Sequence, residues 1–290
     1  MTRILIVGSG DIARRLLPLL RGRYRVYALI RDAAKAAPLR ALGATPLLGD
    51  LDDRHTLSRL RGLADHVLHF APPARGGTHD TRTRHLLTAL AQGRPPRRLI
   101  YLSTSGVYGD CAGALVDETR PPHPQTERAS LRVSGERQIR SWAPRQRVCA
   151  SVLRVPGIIA AERLPLDRLR SGTPAILAEQ DSYSNHIHAD DLARIVLAAL
   201  RQGRANRVYH AVDEEPMKMG DYFDAVADAC GLPRPPRLPR DEVQRCVSPL
   251  MWTFLNESRR LSPRRMKSEL RVRLRYPTVQ HVLAAITRAP

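Results

Sequence analysis

Apolar residues fall in short unbroken runs, separated by amphipathic stretches, from Arg3 to about Val155. The runs are Ile4 to Val7, Val26 to Ile30, Thr45 to Leu48, His66 to Phe70, Leu99 to Leu102 and Ala150 to Val155. Continuous runs, unlike alternating ones, mark strands buried on both faces, and helices between such strands set them parallel. After the first run, Ile12, Leu16, Leu19 and Leu20 recur at i, i+4, i+7 and i+8, which predicts one apolar helix face. Pro18 in that helix removes a backbone donor and crowds the carbonyl four residues earlier, predicting a kink or an early end. Beyond Pro156 the texture is irregular until a helix over Asp190 to Leu200 and a strand at Val208 to Val212, read as a return to the sheet. A further amphipathic helix is expected around Tyr222 to Cys230, followed by a proline-rich loop over 231–239. The expected division is a sheet domain of 1–156 plus 188–213 and a smaller lobe of 157–187 plus 214–290.

Composition narrows the classes. With 290 residues and 43% hydrophobic content the chain has enough apolar material for a large core. No run of about 18 uncharged apolar residues occurs, and the chain opens directly on Met1-Thr-Arg-Ile-Leu-Ile-Val7, a strand and not a leader. No membrane partner and a cytoplasmic location are expected on that reading. Cys111, Cys149, Cys230 and Cys246 are scattered without a C-x-x-C pair, so no metal site is expected. The formal charge of +19 would suit a nucleic-acid partner. However, Lys35, Lys218 and Lys267 are the only lysines, the charge is arginine spread along the chain, and aromatics are only 4%. Clustered charge interleaved with aromatics marks nucleic-acid surfaces, so that partner is disfavoured and a small-molecule substrate is expected; a homodimer stays open.

The chemistry starts at the first strand. Gly8-Ser9-Gly10-Asp11-Ile12-Ala13 follows it directly and opens the first helix, matching G-x-G-x-x-A in its required setting. Gly8 permits the tight turn, Gly10 lets backbone approach a pyrophosphate, and Ala13 allows close packing of helix on strand. The fold expected is therefore α/β, a Rossmann-type doubly wound parallel sheet with a smaller C-terminal substrate lobe. About 20 residues on, at the end of the second strand, the chain reads Arg31-Asp32. Arg31 suits a 2′-phosphate and Asp32 suits ribose hydroxyls, so the cofactor expected is NADP, with NAD as the alternative. Asp50 is placed to accept from the adenine amino group or to cap a turn. His69-Phe-Ala71-Pro72, ending the fourth strand, lies where the chain passes under the cofactor.

Together with Tyr101-Leu-Ser-Thr104-Ser-Gly-Val-Tyr108-Gly109-Asp110, Glu118, Leu153-Arg-Val-Pro-Gly157 and His186-Ile-His188-Ala-Asp-Asp191, these residues make the chain resemble the short-chain dehydrogenase/reductase superfamily. The resemblance is to an atypical member of its extended, epimerase/dehydratase-like branch. It implies that Thr104 polarises a substrate oxygen and that Tyr108 is structural or contacts substrate. Where such enzymes carry a proton-donating tyrosine, a lysine one helical turn later and a glutamate one turn further, this chain has Arg128, Arg132 and Glu136. A phenol beside an ammonium shuttles a proton; a guanidinium stays protonated and cannot act as a base. Arg128 and Arg132 are read either as a grip on a carboxylate, a phosphate or the cofactor ribose, or as a solvated helix face. His123, Glu127, His186 and His188 are the substitute bases considered, and Asp191 is expected to cap a helix. The functional expectation is an oxidoreductase or epimerase/dehydratase-like protein acting on a carbonyl or sugar-nucleotide-like substrate. An inactive NADP-binding sensor or assembly protein is the alternative.

Overall fold

In the computed structural model, which describes residues 1–287, the apolar runs become seven parallel strands of one sheet. They are β1 Thr2–Val7, β2 Tyr24–Ile30, β3 Ala44–Leu48, β4 His66–His69, β5 Arg98–Thr104, β6 Cys149–Val155 and β7 Arg207–His210. Their order is β7-β6-β5-β4-β1-β2-β3. The order reverses between β1 and β4, and in doubly wound sheets the carboxyl ends of strands at such a point border a crevice. The Val208 run does return to the sheet, pairing Arg207 to His210 with Ser151 to Arg154 of β6.

Both faces are covered, which is why the strands are apolar throughout instead of alternating. Ile4 and Ile6 of β1 enter one core with Leu16, Leu192 and Ile195 from helices α1 (Asp11–Leu20) and α4 (Ala189–Gln202). Leu5 and Val7 point the other way, into a core with Leu86, Leu90, Ile139 and Trp142 from α2 (Thr81–Ala91) and α3 (Glu127–Arg145). That alternation is the period-two geometry of a strand.

Pro18 does not stop α1 before Leu20; the helix runs two residues past it, so the lost donor affects only its last turn. Leu19, expected on the buried face, is exposed, and Ala13 and Leu17 are buried instead. The face is turned toward α4 and leaves Leu19 at its edge. Asp191 is another correction. It does not cap α4, whose N-cap is His188; it lies fully buried and accepts from the backbone N–H groups of Arg275 and Tyr276.

A separate apolar cluster is built from the segments around Ile159, Leu169 and Ile176 and from the helices Met219–Ala229, Arg240–Cys246, Pro249–Leu255 and Val279–Thr287. Residues 288–290 of the expected lobe lie outside the described residues. No described helix is long and apolar enough to cross a membrane.

Candidate functional site

At the reversal of strand order a cavity of about 820 Å³ runs along the carboxyl ends of the strands. Its wall contains Gly8, Ser9, Gly10, Asp11, Ile12 and Ala13, then Arg31 and Asp50, then Ala71 and Pro72, and finally Thr104, Arg128 and Arg132. These residues therefore face one space, although they come from six separate stretches of chain.

The glycine turn has the geometry that its motif requires. Gly8 has φ +98°, and a Cβ there would stand 2.4 Å from the Ala71 backbone nitrogen, so only glycine lets the first turn pass under the end of β4. A Cβ on Gly10 would meet nothing within 4 Å, so its open side faces the cavity. No side chain caps α1, which leaves the first amides of that helix free for an anion. Ser9 donates to the Leu29 carbonyl and braces the turn against β2.

At the far rim, Arg31 reaches toward Asp52 at 3.9 Å and is mostly exposed. Asp52 is held more tightly by Arg82, whose Nε donates to it at 2.8 Å while its Nη1 donates to the Pro72 carbonyl. That hydrogen bonding holds the Asp52 carboxyl below the usual carboxylate range, against the smaller effect of desolvation. Asp32 spends its carboxylate on the Ala34 N–H, capping a short helical turn. Asp50 accepts from the Asp52 N–H at 3.0 Å, the turn-capping arrangement, while still lining the cavity. Lys35 and Arg14 complete a basic rim that sequence reasoning missed, as it missed Arg82. Arg82 belongs to no motif and reaches the rim only because α2 starts there, so no local signal marks it.

At the inner end, Thr104 closes β5, and its Oγ accepts from the Gly106 N–H at 3.2 Å, leaving the hydroxyl hydrogen to donate elsewhere. Arg132, buried on α3, uses Nη1 to bridge the Ala71 carbonyl, the Tyr101 hydroxyl and, at 2.7 Å, the Leu102 carbonyl. It is not a solvated face; it ties the ends of β4 and β5 to the helix. Arg128, one turn earlier, sits at the cavity mouth with its guanidinium 6.0 Å from the Phe254 ring centroid. Desolvation by the surrounding chain, and then the Arg132 charge, lower its pKa from the ordinary arginine value.

Glu136 is not part of this wall. It is buried, accepting from Ser103 at 2.6 Å and from Arg154 at 2.7 and 3.1 Å. Tyr108 likewise turns inward: its hydroxyl lies 2.6 Å from His210 Nε2 and its ring under the Arg154 guanidinium, so it is a structural tyrosine. Burial pushes its phenol up to about 12.

None of His123, Glu127, His186 and His188 belongs to the cavity wall. Glu127 accepts from the Gly76 N–H, and His188 accepts from the Asp190 N–H. His186 is stacked on Tyr222 and desolvated down to about 4. The site thus joins a dinucleotide-shaped cradle to a hydroxyl and two guanidiniums, without a group in the wall suited to accept a proton near neutral pH.

Comparison with known proteins agrees with this geometry. The profile of the NAD dependent epimerase/dehydratase family matches residues 4–212. A functionally unknown conserved protein of Silicibacter pomeroyi has a solved structure that superposes with a TM-score of 0.81 at 30% identity, covering 99% of this chain and 98% of its own. A ketoreductase of Stigmatella aurantiaca acting on 4-hydroxy-2-methyl-3-oxo-4-farnesyl-3,4-dihydroquinoline-1-oxide is 27% identical over 78% of this chain and 72% of its own. The dTDP-glucose 4,6-dehydratase of Streptomyces venezuelae, solved with NAD bound, shares the fold at a TM-score of 0.78 and 21% identity, covering 99% of this chain and 96% of its own.

Proposed function

Because the chain belongs to the NAD dependent epimerase/dehydratase family, we propose that it binds NADP(H) along the cavity and performs carbonyl oxidoreduction on a small molecule. NAD is the weaker ligand in this reading. The observation that carries it is the continuity of one cavity from the Gly8 to Ala13 cradle to the Thr104 hydroxyl. A Gly10 side open to the cavity and an uncapped helix amino end fit a pyrophosphate. Arg31, Lys35, Arg14 and Arg82 around the rim favour a 2′-phosphate over a bare ribose, the more so because Asp32 is occupied by Ala34. The ketoreductase activity of the Stigmatella relative supports carbonyl chemistry as the reaction class.

The nicotinamide of the bound cofactor would supply or accept the hydride. The chain's own part is polarisation: Thr104 donates to the carbonyl oxygen, and the nearby guanidiniums stabilise charge that develops there. Arg128 and Arg132 hold their protons, so proton exchange at that oxygen falls to water. Residues 157–187 and 214–287 cover the substrate side in this reading.

A second reading is favoured by the Arg128 and Arg132 positions themselves. With no tyrosine or lysine there, the protein would bind the dinucleotide as a sensor without turnover. Calorimetry with NADPH and NADH on the wild type, Arg31→Ala and Gly10→Asp tests the shared premise. The expectation is NADPH binding that falls about tenfold in Arg31→Ala while NADH is unaffected, and loss of both in Gly10→Asp. Binding of neither nucleotide by the wild type would overturn both readings; NADPH oxidation in the presence of a carbonyl compound separates the enzyme from the sensor.

A further inference from the structure

Resting on the carbonyl reading above, we infer that Arg128 and Arg132 form a clamp for a carboxylate borne by the substrate next to its reacting carbonyl. The two guanidiniums lie one helical turn apart on the cavity wall that also carries Thr104. Neither bonds a carboxylate among the described residues. The hydrogen bonds of Arg132 go to two backbone carbonyls and one phenol, all neutral, and the Arg128 guanidinium lies over the ring of Phe254. The acids on neighbouring elements are engaged elsewhere: Glu127 with Gly76, Asp80 with Thr83, Glu136 with Arg154. Like charges at this spacing repel, and Arg132 is buried without a carboxylate while Arg128 stands exposed at the cavity mouth, so the pair favours an anion. Elsewhere in the fold the chain pairs its buried arginine, Arg154, bidentately with Glu136. At Arg128 and Arg132 a carboxylate counter-ion is missing among the described residues, beside a cavity.

Position sets the class of anion. Arg132 donates to the carbonyl of Leu102, two residues before Thr104, so an anion seated on the clamp lies beside the oxygen that Thr104 would polarise. A carboxylate one or two bonds from a ketone meets both requirements. The diphosphate of a sugar nucleotide would not, because a sugar ring separates it from the reacting carbon. A planar carboxylate also matches the guanidinium fork, which donates two parallel hydrogen bonds to it. Beside Arg128, Phe254 stands exposed on the helix Pro249–Leu255 and offers an apolar face to the rest of the molecule. The substrate class assigned is a 2- or 3-oxo carboxylate with an apolar or aromatic substituent.

The test uses full-length protein and three probes, phenylglyoxylate, its uncharged methyl ester and phenyl phosphate, titrated calorimetrically with and without saturating NADP⁺. The oxidised cofactor keeps hydride transfer out of the measurement. Phenylglyoxylate is expected to bind at least about tenfold more tightly than the ester, and Arg128→Gln is expected to abolish that difference. The Arg128 side chain makes no hydrogen bond among the described residues, so the variant should melt with the wild type. Equal binding of acid and ester, no binding of either, tighter binding of phenyl phosphate, or an unchanged preference in Arg128→Gln would each overturn the clamp. If those outcomes come with normal NADP⁺ affinity, the dinucleotide reading stands alone. If NADP⁺ does not bind but the acid preference persists, the clamp stands and that reading falls.

Discussion

Gly8 and Gly10 sit two residues apart in one motif and do different physical work. Gly8 holds a positive φ, and any Cβ would strike backbone at Ala71; Gly10 has open space on the side facing the cavity. Gly8→Ala is therefore expected to cost at least about 2 kcal/mol of stability, read as a fall in the urea midpoint. Gly10→Ala should stay within about 1 kcal/mol, the cost of a poorer N-cap, while weakening NADPH at least tenfold by calorimetry, about 1.4 kcal/mol. Equal melting losses in the two variants would refute this assignment. The motif was legible because each glycine answers a backbone requirement of a strand-turn-helix passage. Arg82 and Lys35 were not legible, since nothing in their neighbours states where the loop ends of β2, β3 and α2 converge.

Between elements, a buried polar link ties α3 to the sheet. Glu136 is buried and holds Ser103 of β5 and Arg154 of β6, fixing the rotation of α3 and hence where Arg128 and Arg132 point. Removing one partner of a buried pair leaves the other charge desolvated, which costs about 3–5 kcal/mol. Glu136→Gln is expected to lose stability on that scale in urea denaturation, whereas Glu136→Gln combined with Arg154→Met should recover part of it. No recovery in the double variant would mean that the loss comes from packing and not from the stranded guanidinium. The count from Arg128 and Arg132 to Glu136 needs only the repeat of a helical turn, which the sequence displays. Which face of that helix lies against β5 depends on Ser103 and Arg154, residues 33 and 18 positions away.

Across the molecule, His69, His186 and His210 are buried and neutral, desolvated to about 3, 4 and 3 respectively. Below their unfolded value near 6.5 the unfolded chain takes up protons that the folded chain refuses, so stability falls as pH falls through that range. At pH 5 each contributes a loss of about 2 kcal/mol relative to neutral pH. Asp213 and Glu118 are shifted upward by burial and act with the opposite sign, so the comparison must be differential. Between pH 7 and 5, His210→Gln is expected to lose less stability than the wild type, measured by thermal melting. Parallel losses would place the His210 proton elsewhere.

The sequence by itself determined the doubly wound α/β fold, the strands and the glycine turn. These follow from local backbone geometry and from periodicities of two and 3.6 that a linear chain displays. Only the tertiary structure decided that Tyr108 and His186 turn inward, that Asp191 anchors the segment at Arg275 and Tyr276, and that Arg132 is a buried tether. Each depends on partners far along the chain, and the burial and pairing of a polar side chain are properties of the space it enters, not of its neighbours in sequence.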